Sequence, residues 1–169
     1  MIRASFSFQT WAGTCRLSWS ENGVNVVGLV STPEGERNAQ LLPRPVRKMV
    51  LQLEEFFAGR PQAFDAQALD FQNIPSFDHQ VYRETVLIPR GRTATYGEVA
   101  EKIGRNGASR AVGGALRRNP FLIVVPCHRV IASTGHLTGF SAIGGLSTKA
   151  RLLDMEKKNS GFDPANRLL

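Results

Sequence analysis

Apolar and polar positions change period once along the first 60 residues. Residues 15–19 alternate, and apolar positions resume at 24–29 after a glycine-containing turn, which predicts an antiparallel hairpin. From Pro45 onward, apolar side chains recur at helical spacing until Gly59 and Pro61 end the pattern. The pattern therefore predicts a small sheet followed by one helix.

The remaining chain divides at a stretch without periodicity. Residues 62–76 predict a connection between two domains. After it, apolar positions at helical spacing predict a helix that ends where residues 88–91 introduce proline and glycine. We therefore expect an α+β protein with an N-terminal domain and connection at 1–76, a mostly helical domain at 77–157 and a mobile tail at 158–169.

The second domain contains a helix-turn-helix pattern. Thr95 and Glu98 have the spacing of a capping box at a helix start, and residues 104–107 interrupt that helix with two glycines. A second helix is predicted from Ser109 to Arg118. Two short helices across such a turn are typical of DNA-binding domains, so we predict a winged helix-turn-helix-like fold. An ordinary helical hairpin in a protein core is the alternative.

The second helix of this pair is rich in small residues. Its two adjacent glycines, Gly113 and Gly114, cost roughly 1–2 kcal/mol of helix propensity relative to alanine. A backbone with small side chains can approach another surface closely, and the minor groove of DNA is only about 6 Å wide. Such a helix therefore suits the minor groove, and close packing against another protein helix is the alternative.

Charge is distributed unevenly along the chain. The formal net charge is +7, yet residues 1–77 hold seven basic and seven acidic side chains, whereas residues 78–169 hold fourteen and seven. A basic half joined to a neutral half indicates contact with a polyanion. A solvated surface with a high isoelectric point would give the same numbers and is the alternative.

The cysteine and histidine counts argue against a disulfide framework or a structural metal site. Two cysteines, Cys15 and Cys127, and three histidines are too few and too scattered for either. The chain has no run of 18 apolar residues and no apolar secretory leader, so we expect a soluble, cytoplasmic protein with free thiols.

The surroundings of Cys127 predict a turn after a buried strand. Residues 121–125 form a continuous apolar run of strand length that ends at Pro126, which places Cys127 and His128 at the turn. The thiolate is the reactive form of cysteine, and a histidine can take its proton directly or through a water. Adjacent strand residues point to opposite faces, however, so a purely structural Cys-His pair is the alternative.

A series of short motifs runs through the second half. They are Ile88-Pro89-Arg90-Gly91, Thr95-Tyr96-Gly97, Ser109-Arg110-Ala111-Val112-Gly113-Gly114-Ala115, Asn119-Pro120, Pro126-Cys127-His128-Arg129-Val130-Ile131, Gly139-Phe140, Gly144-Gly145, and Lys149 with Leu152-Leu153 and Glu156. In these motifs and their order, the segment resembles the methylated-DNA–protein-cysteine methyltransferases, also called O6-alkylguanine-DNA alkyltransferases. The first half is similar to that family only in size and in its strand-then-helix character.

The resemblance implies roles for four residues at the cysteine site. Cys127 would accept an alkyl group, and His128 would be the base acting through a water. Glu156 would orient His128, and Asn119 would brace the turn beside the cysteine. Apart from the resemblance, Asn119 could be a helix C-cap and Glu156 could lie on a solvated helical face.

The resemblance also implies that double-stranded DNA is bound through its minor groove. Tyr96 would press on the phosphate that moves as a damaged nucleotide rotates out, and Arg110 would fill the vacated position in the base stack. The predicted DNA-binding residues are Thr95, Tyr96, Arg110, Ala111, Gly113, Gly114, Ala115, Arg117 and Arg118. The predicted substrate-pocket residues are Pro126, Val130, Phe140 and Ser141, and Phe140 departs from the tyrosine common in the family.

The implied function is DNA repair. An alkyl group, chiefly methyl, would pass irreversibly from O6-alkylguanine in duplex DNA to Cys127 after nucleotide flipping, once per molecule, with O4-alkylthymine as a further candidate substrate. We expect a monomer that needs no cofactor or metal and binds no membrane. The alternatives are a helix-turn-helix protein that binds DNA or senses lesions without catalysis, and a cysteine hydrolase. Lesion-sensing relatives lack the acceptor cysteine, which is present here.

Overall fold

A three-stranded antiparallel sheet opens the computed structural model. Strands β2 (Gly13–Ser20) and β3 (Gly23–Val30) form the predicted hairpin. Strand β1 (Ala4–Thr10), which the apolar pattern does not indicate, pairs with β2 on its other side. The structure describes residues 4–33, 35 and 38–159.

Helix α1 (Arg44–Phe57) packs against this sheet, as the helical spacing predicts. Pro45 stands in its first turn, where a missing N–H removes no intrahelical hydrogen bond. Gly59, with a φ of 85°, lies just past the helix end, where left-handed backbone closes many helices. The buried face of α1 is wholly apolar and consists of Val46, Met49, Val50, Leu53, Phe56 and Phe57.

The second half is mostly helical, which makes the protein α+β as predicted. The predicted capping box is confirmed: Oγ1 of Thr95 accepts a hydrogen bond from the N–H of Glu98 at 3.1 Å, and the Glu98 carboxylate accepts one from the N–H of Thr95 at 2.6 Å. The winged detail of this half stays a prediction. Its elements are α2 (Ser76–Val86), β4 (Ala94–Thr95), α3 (Tyr96–Lys102), α4 (Ser109–Arg117), β5 (Val130–Ile131) and α5 (Gly145–Lys158).

A short parallel sheet joins the helix pair to the cysteine segment. Ala94 of β4 pairs with Val130 of β5, and Thr95 pairs with Ile131. Thr95 is therefore both the N-cap of α3 and a ladder residue. The start of α3 is fixed in this way to the chain that follows Cys127.

The strand predicted at residues 121–125 is wrong. The segment is buried throughout, but it folds into a tight turn in which the N–H of Val125 donates to the carbonyl of Phe121 at 2.8 Å. Ile123 has a φ of 72°, a left-handed conformation that β-branched residues rarely adopt. Phe121 forms a bridge with Val27 at the edge of the N-terminal sheet. The apolar run correctly predicts that the segment is buried, but burial alone does not determine whether the backbone is a strand or a turn.

The predicted tail at 158–169 overlaps the end of α5. That helix continues to Lys158, so the first residue of the predicted tail is helical. Residues 160–169 lie outside the described residues. In the part of the chain that the structure describes, the helices are too short or too polar to span a membrane.

Candidate active site

Cys127 begins a single 3-10 turn, Cys127–Arg129, rather than following a strand. Its N–H donates to the carbonyl of Val125 at 2.8 Å, and the N–H of Arg129 donates to the carbonyl of Pro126 at 2.8 Å. Only 8% of Cys127 is exposed. The turn therefore holds the thiol almost entirely out of water.

The surroundings of the Cys127 thiol change its pKa in two directions. Burial raises the pKa and prevails. A hydrogen bond with Asn119, the positive charge of Lys149 and the backbone N–H groups at 127 and 128 lower it in part. The thiol therefore stays protonated near neutral pH and needs a base to become a thiolate.

The neighbouring imidazole has the properties of such a base. His128 and Glu156 are both fully buried, with Nε2 of His128 2.9 Å from Oε1 of Glu156. Burial lowers the pKa of His128 against the opposing effect of Glu156, so the ring is neutral. Facing a carboxylate, the neutral ring carries its proton on Nε2, which leaves Nδ1 as the basic nitrogen. Nδ1 is buried and makes no hydrogen bond with any residue that the structure describes.

Glu156 is shared between the neutral His128 ring and the cation Arg129. Nε and Nη2 of Arg129 donate to its two carboxylate oxygens at 2.9 Å each, and the N–H of Gly91 lies 3.3 Å from Oε2. Burial alone would raise the pKa of Glu156, but the hydrogen bonds and charges of His128 and Arg129 hold it well below its ordinary value. These contacts exclude the solvated helical face considered from the sequence.

The Asn119 side chain forms hydrogen bonds to both ends of the buried turn at residues 121–125. Its Nδ2 donates to the carbonyl of Val125 at 3.0 Å, and its Oδ1 accepts from the N–H of Phe121 at 2.9 Å. The same side chain hydrogen-bonds the Cys127 thiol. One amide thus connects the end of α4, the turn and the cysteine.

Two further residues of the site stand in the sequence motifs without an assigned role. Arg129 donates to the carbonyl of Ile88 at 2.7 Å besides binding Glu156. Lys149 is fully buried, and burial lowers its pKa to about 8, against the opposing effect of Cys127. No local pattern indicates these contacts, because they join residues 19 or more positions apart. Among the described residues, no His, Cys, Asp and Glu cluster could hold a metal ion.

An open cleft of about 610 Å³ lies beside α3 and α4. Tyr96 is half-buried there, and its hydroxyl donates to the carbonyl of Thr138 at 3.2 Å. The structure thus brings DNA-facing and pocket residues predicted from the sequence onto one surface. The predicted residues in the cleft lining are Tyr96, Arg110, Gly113, Arg117, Phe140 and Ser141.

The predicted substrate-pocket residues do not all line one cavity. Val130 is fully buried in β5, and Pro126 lines a separate cavity of about 330 Å³ together with Arg90 and Arg129. Neither lines the cleft that contains Phe140, so their place in a substrate pocket stays a prediction. Cys127 is also outside the lining of that cleft.

Small residues of α4 serve packing inside the protein on one side of the helix. Ala115 is fully buried, and its carbonyl accepts a hydrogen bond from the hydroxyl of Tyr82 at 2.9 Å, so its side chain belongs to the core rather than to the exposed face of α4. At Gly113 an added Cβ would lie 3.8 Å from the ring of Tyr96. Ala111 is exposed. Close packing within the protein thus accounts for some of the small residues of α4. It does not account for Ala111, which faces solvent.

Arg118 and Thr95, both predicted to contact DNA, have partners within the protein. Nε and Nη2 of Arg118 donate to the carboxylate oxygens of buried Asp78 at 3.0 and 2.9 Å. An added Cβ at Gly114, which is half-buried, would lie 3.4 Å from the same guanidinium. Thr95 caps α3. The positive charge of Arg118 is thus largely compensated by Asp78.

Comparison of the sequence with known proteins finds a matching family. Residues 76–158 match the family described as 6-O-methylguanine DNA methyltransferase, DNA binding domain. The methylated-DNA–protein-cysteine methyltransferase of Mycolicibacterium paratuberculosis is 48% identical over 118 residues, which are 70% of this chain and 69% of that protein. The protein of that name from Methanothermobacter thermautotrophicus is 38% identical over 138 residues, 82% of this chain and 76% of that protein.

Solved structures agree with the sequence comparison. Mycobacterium tuberculosis OGT in complex with DNA has a TM-score of 0.78 at 33% identity, covering 92% of this chain and 94% of that one. The R37K variant of OGT has a TM-score of 0.79 and covers 98% and 99%. Because relatives are matched over more than two thirds of their length and the fold is shared, the chain belongs to the methylated-DNA–protein-cysteine methyltransferase family.

Proposed function

We propose that this protein repairs duplex DNA by moving the alkyl group of O6-alkylguanine onto Sγ of Cys127. Membership of the family supports the reaction class. The observation that carries the assignment to Cys127 is the buried pair of His128 and Glu156. Nδ1 of His128, the residue next to the cysteine, has no hydrogen-bond partner among the described residues. A buried thiol with a raised pKa needs such a base.

In the proposed reaction, Nδ1 of His128 takes the thiol proton through a water, and Glu156 stabilises the charged ring. The thiolate attacks the alkyl carbon, so an S–C bond forms while the C–O6 bond breaks and its electron pair stays with guanine. The proton taken up by His128 is then passed through water to the guanine anion, so the base leaves as neutral guanine and His128 returns to its neutral form. The products are an S-alkylated Cys127 and unmodified guanine.

The target atom lies inside the base stack, so the nucleotide must rotate out of the duplex before attack. We assign contact with DNA to the cleft side of α4, where Arg110 and Arg117 are exposed beside half-buried Tyr96. Approach through the minor groove fits the exposed Ala111 on the same helix. Because Cys127 is 8% exposed and outside the cleft lining, the extruded base has to open the cleft further to reach Sγ.

The reaction should occur once per molecule. A thioether is not readily hydrolysed, and this chemistry provides no step that returns the thiol. We therefore expect a stoichiometric reagent that acts as a monomer, with a burst of one alkyl group per protein and no later turnover.

Mass spectrometry tests the proposal directly. The protein is mixed with duplex DNA containing O6-methylguanine, and we expect one added methyl group located on Cys127. Cys127→Ala should gain none, whereas Cys15→Ala should react like the wild type because Cys15 is buried in the N-terminal core and burial raises its pKa to about 12. Transfer to another residue, or no transfer at all, would refute the assignment.

A further inference from the structure

An aromatic side chain of the N-terminal half lies directly against the imidazole of the candidate base. The ring centroids of Phe56, near the end of α1, and His128 are 6.3 Å apart, with an interplanar angle of 61°. Edge-to-face rings at this distance are in favourable contact. Phe56 is 1% exposed and His128 0%, so the contact is closed to water.

Phe56 is itself held from several sides. Its ring makes an edge contact with Phe57 at 5.5 Å and a tilted contact with Phe64 at 6.1 Å. The guanidinium of Arg90 lies 5.6 Å from its centroid, and Nη2 of Arg90 donates to the carbonyl of Gly59, just past α1. Because these contacts fix the ring, Phe56 is a rigid wall beside His128 rather than a mobile cover.

The charged groups around His128 come from other elements. Glu156 and Lys149 belong to α5, Arg129 to the 3-10 turn, and Arg90 lies across the Phe56 ring. The buried face of α1 carries no titratable group. The contribution of α1 at this point is therefore exclusion of water, and burial is the largest influence that lowers the pKa of His128.

We propose that Phe56 is a positioning residue for alkyl transfer: the N-terminal half uses it to shield and orient the His128 ring so that one nitrogen binds Glu156 and the other stays basic. This inference rests on the proposed function of His128. It gives the N-terminal half a direct part in the reaction that the family match at residues 76–158 does not cover.

The test uses the full-length protein with Phe56→Ala, Phe56→Leu and a matched control, Phe57→Leu. Phe57 is the next residue of α1 and packs on Trp11 at 5.9 Å, with no recorded ring contact to His128 among the described residues. Histidine-selective NMR titration gives the pKa of His128, with the His79 and His136 signals assigned by substitution to Gln. The single-turnover rate on O6-methylguanine duplex is measured over the same pH range.

Removal of the Phe56 ring admits water, so the pKa of His128 should rise by roughly half a unit or more, and the acid limb of the rate profile should move upward with it. Phe57→Leu should move both by less, because the Phe64 and Arg90 contacts still hold the Phe56 ring against His128. Phe56→Leu retains apolar volume and serves as the folded variant if Phe56→Ala does not fold. An unchanged His128 titration in a folded Phe56 variant, or an equal shift in Phe57→Leu, would overturn the proposal. Absence of methyl transfer in the wild type would refute the proposed function instead, while the titration would still report the contact.

Discussion

Lys149 donates a hydrogen bond to the carbonyl of Thr138 at 2.7 Å, although its side chain is entirely buried. The same carbonyl oxygen accepts the hydroxyl of Tyr96 at 3.2 Å, in the cleft lining. Lys149 also donates to the carbonyl of Val130 at 2.6 Å. One buried cation thus connects the wall of the cleft with the strand that follows Cys127.

The first prediction concerns the charge of Lys149. Its pKa is lowered to about 8, so it is charged below that pH, where it favours the Cys127 thiolate, and neutral above it. Lys149→Met should slow methyl transfer at pH 7 by about tenfold, equivalent to about one pKa unit at the thiol. At pH 9, where the wild type has lost the charge, the difference should shrink. A ratio of rates that does not vary with pH would contradict this role.

The second prediction concerns the stability that Glu156 provides. Glu156→Gln leaves Arg129 with an uncompensated buried charge, and the free energy of unfolding should fall by about 3–5 kcal/mol. Because the pKa of Glu156 is lowered in the folded protein, its contribution is present above the ordinary carboxyl pKa and is lost as the pH falls through the folded value. Urea unfolding should therefore show a flatter pH dependence for the variant between roughly pH 5 and 2.

A control on the same helix separates this effect from a general loss of charge. Asp154 pairs with Lys158 at 2.8 Å on the exposed side of α5. Asp154→Asn should change stability little, because exposed ion pairs contribute little. Equal destabilisation by the two substitutions would show that burial of Glu156 is not the cause.

The third prediction separates insertion into the base stack from contact with phosphate. Arg110 and Arg117 are both exposed on α4 and line the cleft. Arg110→Ala should slow repair of O6-methylguanine in duplex DNA more than reaction with the free base, whereas Arg117→Ala should mainly weaken DNA binding. Each lost phosphate contact should reduce the slope of log affinity against log salt by about 0.9. Equal losses by Arg110→Ala on both substrates would exclude insertion.

The fourth prediction concerns Arg118, whose guanidinium binds Asp78. Arg118→Gln leaves the buried carboxylate without its cation, so the free energy of unfolding should fall, but by less than in Glu156→Gln because the guanidinium of Arg118 is exposed. The salt dependence of DNA binding should change less than in Arg117→Ala, because the charge of Arg118 is compensated. The double variant Asp78→Asn with Arg118→Gln should recover part of the stability. A large change in the salt dependence of DNA binding by Arg118→Gln would indicate that Arg118 contacts DNA after all.

The sequence predicts those elements whose formation depends on interactions between residues close together in the chain. The six apolar positions of α1 recur at helical spacing, and the Thr95–Glu98 capping box is made by residues three apart. The turn at 121–125 is different. Its conformation depends on Asn119 and on the bridge from Phe121 to Val27, and an apolar run does not reveal either contact.

The candidate site is predictable only in part for a similar reason. The resemblance implies the pairing of His128 with Glu156, 28 positions away, but no motif indicates the contact of His128 with Phe56, 72 positions away, which arises from tertiary packing. The face of a short helix is also hard to assign from small residues. Ala115 and Ala111 have the same side chain, yet the first is in the core and the second is exposed.

The ladder between β4 and β5 has a mechanical consequence for any substrate. Thr95 precedes Tyr96 and pairs with Ile131, which lies four residues after Cys127. The ladder therefore joins the segment that carries Tyr96 rigidly to the segment that carries Cys127. Two segments joined in this way have little capacity to stretch toward a target. Under the proposed function, the deformation needed beyond the opening of the cleft should then fall on the double helix. The flexibility of the base steps around a lesion should therefore govern how quickly the lesion is found and corrected.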